Sequence, residues 1–152
     1  MHKLNLPEHQ FKYRQSGSKK YIFDEIRMKY VACTPEEWVR QNFVKYLIIA
    51  LNYPKPLISI EREITVNRLV KRCDAVVFSR IGEPCMLLEF KAPEVKLNQV
   101  VFDQIVRYNI ALNVRYLLIS NGLKHYCCEL DFVKKDYKFL SGVPDYNDLN
   151  PK

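Results

Sequence analysis

The sequence lacks a long apolar run. Its longest, Tyr46-Leu47-Ile48-Ile49-Ala50-Leu51, falls far short of the roughly 20 residues a membrane-spanning helix needs. The opening Met1-His2-Lys3-Leu4-Asn5-Leu6-Pro7 offers no apolar stretch that could act as a signal peptide, so a soluble, cytoplasmic chain is expected. Glycine is scarce, at 4 residues, and no Gly-x-x-x-x-Gly-Lys-Ser/Thr loop occurs, which leaves no phosphate cradle for an ATP-driven motor. No Cys-x-x-Cys occurs either. The 5 cysteines (Cys33, Cys73, Cys85, Cys127 and Cys128) are odd in number and two are adjacent, which argues against a disulfide framework or a zinc site. They are expected to be free thiols that pack as small apolar residues. No Ser-His-Asp or Cys-His arrangement can be argued from the 3 histidines.

What is present is a chain of 152 residues, 48% apolar and 27% charged, which suits one domain with its own core and excludes disorder. Lys and Arg number 24 against 17 Asp and Glu, and the resulting net charge of +7 points to a polyanionic partner, nucleic acid among them. No repeat or Gly/Ser linker divides the sequence. Residues 1–20 are polar and read as a loose N-terminal arm, residues 21–142 as the domain, and residues 143–152 as a tail with Pro144 and Pro151.

Tyr21 to Val31 alternates apolar and charged residues, as an extended segment does. Thr34-Pro35-Glu36-Glu37 then has the form of a helix start: a capping Thr, a Pro at the first position and a Glu completing a capping box. Val39, Phe43, Tyr46, Leu47 and Ala50 follow helical spacing up to Asn52-Tyr53-Pro54. From Leu57 the period is two, predicting strands over 57–66 and 69–78 with a break near Asn67-Arg68. After the turn Ile81-Gly82-Glu83-Pro84, a third strand covers 85–91, and a helix covers 98–113. Tyr116 to Ser120 reads as a strand buried on both faces, Asn121-Gly122 as a tight hairpin leading into 123–130, and Tyr137 to Leu140 as a last edge strand. The order α-β-β-β-α-β-β implies an α/β fold, a mixed sheet flanked by helices.

One constellation carries chemistry. Antiparallel pairing about Gly82 sets Asp74 level with Glu89 and Lys91, and Glu89 and Lys91 share a strand face. Two carboxylates in one site repel unless a cation joins them. Hard oxygen ligands in this number suit Mg²⁺ or Mn²⁺. A lysine beside such an ion can orient a water and offset charge on a phosphate. An Asp within an apolar strand is disfavoured by propensity, and burying Glu89 and Lys91 without a use for them is costly.

Asp74, fourteen residues, then Glu89-Phe90-Lys91 resembles the D…ExK core of the PD-(D/E)xK nucleases, whose restriction-endonuclease-like αβββαβ core has the same element order. The sequence more closely resembles the N-terminal nuclease domain of type I restriction enzyme R subunits. The residues that carry this likeness are Phe23-Asp24-x-Ile26-Arg27, Thr34-Pro35-Glu36-Glu37-Trp38-Val39-Arg40-Gln41 and Arg72-x-Asp74-Ala75-Val76-Val77. Leu88-Glu89-Phe90-Lys91-Ala92-Pro93, Gln104-x-x-x-Tyr108-Asn109 and Ser120-Asn121-Gly122 complete it.

The resemblance implies Asp74, Glu89 and the Phe90 carbonyl as metal ligands, Lys91 as the catalytic lysine, and Glu37 as an additional acidic residue. It gives Gln104 and Tyr108 a supporting or DNA-contacting role; a packing role on the helix stands beside that. A cap alone explains Glu37, and Glu36 is the alternative ligand. Arg72, Lys71, Lys96, Arg107 and Arg115 could line a DNA groove or be ordinary solvated charges. The expected partner is DNA, with restriction-modification or helicase subunits and a homodimer as further partners. Without a motor the domain is expected to stand alone, and the rival reading is a non-catalytic DNA-binding or protein-interaction module on the same fold.

Overall fold

In a computed structural model describing residues 1–149, the chain opens on a small antiparallel sheet. Strands β1 (Tyr13–Ser16), β2 (Lys19–Asp24) and β3 (Lys29–Ala32) form a meander in that order. Gly17, at φ +59°, makes the two-residue turn that pairs Ser16 with Lys19. The expected loose arm is therefore corrected. Its polar residues pair through their backbone, and the residues before β1 are tied down as well. The Asn5 N–H donates to the Gly122 carbonyl at 2.8 Å, the Trp38 indole to the His2 carbonyl at 3.0 Å, and Leu4 and Leu6 pack on the core.

Helix α1 (Pro35–Ala50) starts with the expected cap: the Thr34 hydroxyl accepts the Glu37 N–H at 3.1 Å and Pro35 occupies the first turn. The expected capping box is corrected: the Thr34 N–H donates to the Ala32 carbonyl at 2.9 Å, and the Glu37 carboxylate turns to arginines. A six-stranded sheet follows, β4 (Ile58–Val66), β5 (Leu69–Phe78), β6 (Pro84–Phe90), β7 (Tyr116–Ser120), β8 (His125–Asp131) and β9 (Asp136–Phe139), in that spatial order. Asn67 and Arg68 both take left-handed φ, the geometry of a tight β4–β5 hairpin. All neighbours are antiparallel except β6 and β7, which run parallel and are joined through helix α2 (Gln99–Ile110). The expected αβββαββ order thus holds, with the last edge strand present as β9 and a three-stranded sheet added in front. The β7–β8 turn spans four residues, with Asn121 Oδ1 accepting the N–H groups of Leu123 and Lys124.

Strand alternation divides the core between two faces. Met86, Leu88 and Phe90 face the side of Val39, Phe43 and Leu47 from α1, whereas Leu87, Leu117 and Ile119 face Phe102 and Val106 from α2. β6 and β7 are sandwiched, which is why Met86–Leu88 and Leu117–Ile119 have no solvent exposure. The four buried cysteines are among these packed residues, and all five are free thiols. Among the described residues no helix is long and apolar enough to cross a membrane. Residues 150–152, including the Pro151 of the expected tail, lie outside the described part.

Candidate active site

The β4–β5 ladder pairs Ile60 with Ala75 and Arg62 with Cys73 but skips Glu61 and Asp74 between them. Glu61 takes a left-handed φ of +50°, uncommon outside glycine. At this break β5 also leaves β6, whose last pair with it is Ala75–Leu88. The Asp74 carboxylate fills the vacated place: Oδ2 accepts the Phe90 N–H at 2.7 Å. Phe90 is fixed from the other side by its ring against Phe43, 5.7 Å between centroids. The next amide, of Lys91, donates to the Ser120 carbonyl at 2.9 Å. The D…ExK segment is thus held at the edge where β5 and β6 part.

Asp74 and Glu89 are electrostatic neighbours. Burial raises the Glu89 carboxyl above its ordinary range, the Lys71 ammonium opposes that rise without cancelling it, and the charge on Asp74 adds to it. Lys71 Nζ lies 2.7 Å from Glu89 Oε1, an ion pair whose angle is not that of a hydrogen bond. That buried oxygen is charge-balanced yet receives no hydrogen bond from the protein. Lys71 donates instead to Asn109 Oδ1 at 2.8 Å, and its ammonium sits 4.5 Å over the Tyr108 ring. Neither the Lys71–Glu89 pair nor the fully buried Asn109 was expected to shape the site, because both contacts join elements far apart in the sequence.

Glu37 and Glu36 have different surroundings. Glu37 is buried, and both oxygens are engaged: Oε1 by Arg27 at 2.7 Å and Arg40 at 2.9 Å, Oε2 by Arg40 at 2.9 Å and Gln41 at 3.1 Å. Burial pushes its carboxyl up, and the two guanidinium groups outweigh this and hold it below the ordinary range. Asp24, which binds Arg27 and the Ile26 and Arg27 amides, is lowered in the same balance. The network Asp24–Arg27–Glu37–Arg40 ends at Arg40 Nη1, 3.9 Å from Asp74 Oδ1. Glu37 therefore supports the site from behind and has no oxygen turned to a ligand. Glu36 is half-buried, and its carboxyl is raised by burial and by the charge on Asp74, while Arg40 and Lys91 pull it down. Glu36, Asp74 and Lys91 thus share one electrostatic neighbourhood.

Of the α2 candidates, Tyr108 joins the site through Lys71, while Gln104 is exposed one turn earlier. Tyr108 is exposed as well and not part of the core. Arg72 is exposed and pairs with Glu61 at 3.2 Å, and Lys96 and Arg107 are exposed. Arg27 and Arg40 were absent from the expected site. The signal for Arg40 was its spacing from Glu37, three residues apart on one helix face, while Arg27, in the β2–β3 turn, had no such spacing.

Asp74 and Glu89 are neighbouring carboxylates, oxygen donors of the kind a hard divalent cation takes. Among the described residues no three His, Cys, Asp or Glu side chains form a group that could hold a metal ion. A search of curated proteins finds no match to this chain. The family model described as type I restriction enzyme R protein N terminus matches residues 35–144.

Proposed function

Since the chain belongs to the family of type I restriction enzyme R protein N termini, which implies a nuclease-related role, we propose that it is a metal-dependent DNA endonuclease domain that hydrolyses phosphodiester bonds. The observation that carries this reading is the Asp74 carboxylate seated on the Phe90 amide at 2.7 Å, between Glu89 and Lys91 in the chain. Asp74, Glu89 and the Phe90 carbonyl would hold Mg²⁺ or Mn²⁺, with Glu36 as the neighbouring acid. When bound, that ion supplies Lewis-acid activation of water and offsets phosphate charge. Lys91, on a backbone fixed by Ser120, orients the attacking water and balances charge that develops on the phosphate. Asp74 keeps the turn into Lys91 in place by holding the Phe90 amide. Arg40 holds Asp74 against drift, itself locked by Glu37. Within this reading the partner is DNA in an R-subunit context.

The test is incubation of the purified chain with plasmid and with single-stranded DNA in Mg²⁺, Mn²⁺ or EDTA. Cutting should require metal and disappear in Lys91→Ala and Asp74→Asn. Undiminished cutting by Lys91→Ala would remove the lysine from the mechanism. DNA binding with no cutting under any condition would make the chain a binding module on a nuclease fold.

A further inference from the structure

The outer face of the N-terminal sheet carries no part of the candidate active site, yet its composition is not that of an ordinary solvated surface. In β2, Ile22 and Asp24 point inward and are buried, so Lys19, Tyr21 and Phe23 point outward. Cross-strand pairing adds Arg14 opposite Tyr21, Ser16 opposite Lys19, and Tyr30 opposite Phe23. Lys12, whose carbonyl accepts the Phe23 N–H at 2.9 Å, extends the same face.

The side-chain contacts follow this assignment. The Arg14 guanidinium lies 4.2 Å over the Tyr30 ring, Lys12 Nζ lies 5.9 Å from the Phe23 ring, and the Phe23 and Tyr30 rings meet edge-on at 5.2 Å. Three cations and three aromatic rings therefore share one face of a sheet. Among the described residues no carboxylate pairs with Lys12, Arg14 or Lys19, whereas Lys71, Arg72, Arg115 and Lys138 each face one. Positive charge with no carboxylate partner beside rings held by neighbouring strands complements a strand with a phosphate backbone and unpaired, stackable bases. A duplex keeps its bases inside and offers such rings nothing to stack on.

We propose that the outer face of β1–β3 is a binding platform for single-stranded nucleic acid, with Lys12, Arg14 and Lys19 on the phosphates and Tyr21, Phe23 and Tyr30 against the bases. This rests on the nucleic-acid partner of the reading above but not on the cleavage step. The platform is tied to the candidate site, because the β2–β3 turn is pinned through Asp24 and Arg27 to Glu37.

The test measures fluorescence anisotropy of a labelled oligothymidine, and of a duplex of the same length, with the full chain in EDTA across a salt series. The wild type should prefer the single strand. Arg14→Glu with Lys19→Glu should weaken binding by tenfold or more and flatten the salt dependence. Tyr30→Leu should weaken it about tenfold while leaving the salt slope unchanged, the mark of lost stacking. Lys134→Glu, in the exposed turn between β8 and β9, should have little effect. Equal affinity for duplex and single strand, or wild-type binding by the sheet variants with melting curves like wild type, would overturn the platform. Binding in EDTA by a chain that never cuts would overturn the nuclease reading and leave the platform standing.

Discussion

Lys71 Nζ stands 2.7 Å from Glu89 Oε1, so the residue that the resemblance implies as a metal ligand is already paired with a cation of the protein's own. Both side chains are mostly buried, Lys71 10% and Glu89 14% exposed. Removing one partner of such a pair strands the other charge. Lys71→Met should therefore destabilise the chain in EDTA by about 2 kcal/mol, read from urea denaturation. In a Glu89→Gln background the same substitution should cost well under half as much. An equal cost in both backgrounds would mean that the two residues do not interact.

Glu36 and Glu37 should separate function from stability. Glu37→Gln removes charge from the Arg27–Arg40 network and should lower stability by about 1–3 kcal/mol at neutral pH. Glu36→Gln should leave the melting temperature near wild type yet impair cleavage and weaken metal binding measured by calorimetry. The reverse pattern would restore Glu37 as the acidic ligand.

The same network sets an acid limb. The carboxyls of Asp24 and Glu37 are depressed by Arg27 and Arg40 below their ordinary values of 3.8 and 4.5. Their contribution is complete above those ordinary values and is lost as pH falls through the lower folded ones. Glu89, raised by burial, has the opposite sign: it favours folding at low pH and loses that contribution as pH rises through its elevated value. Melting temperature against pH should fall steeply on the acid side for wild type and less steeply for Glu37→Gln. Parallel curves would show that Glu37 is not depressed.

The thiols should be protected by packing. Burial pushes Cys73 and Cys85 up to about 11, and Cys127 and Cys128 up to about 12, which starves each of thiolate at neutral pH. Maleimide labelling of the native chain near pH 7.5 should stop at Cys33, the one partly exposed thiol of the 5, and reach all 5 in denaturant. Rapid native labelling of Cys73 would contradict the packing of β5.

Gly122 is held by both backbone and space. Its φ is +85°, and an added Cβ would lie 2.6 Å from Leu4 Cδ2 and 3.1 Å from Val39 Cγ2. Gly122→Ala should cost about 2 kcal/mol in thermal or urea unfolding, part of it recovered by Leu4→Ala, which removes the nearer clash. A neutral Gly122→Ala would show that the N-terminal residues are not seated against this turn.

The elements legible in the sequence were those fixed by local chemistry. Thr34 and Pro35 announce α1, Asn67-Arg68 the β4–β5 turn, and the position of Gly82 sets Asp74 level with Glu89. The β1–β3 sheet was not legible, because Tyr13–Ser16 is exposed on both faces and shows no hydrophobic period, and Ser16-Gly17-Ser18 looks like looseness where it makes a turn. The placement of Asp74 near the Glu89–Lys91 segment was legible, and what holds these residues was not. Arg40 reaches Asp74 from another element, and Lys71 reaches Glu89 from beyond the last β5–β6 pair, Ala75–Leu88.

The parallel pairing of β6 with β7 has a kinetic consequence. β5 and β6 are joined by a short turn and can zip early, bringing Asp74 and Glu89 together, whereas β7 can dock only after the chain has crossed over through α2. Pulse-labelled hydrogen exchange during refolding should therefore protect the amides of Val76 and Leu88 before that of Leu118. The Lys91 amide waits on the Ser120 carbonyl, so the acids meet first and the lysine is fixed last. A half-folded chain would hold two carboxylates without a framed lysine, and on the nuclease reading the capacity to cut would arrive with the completed fold.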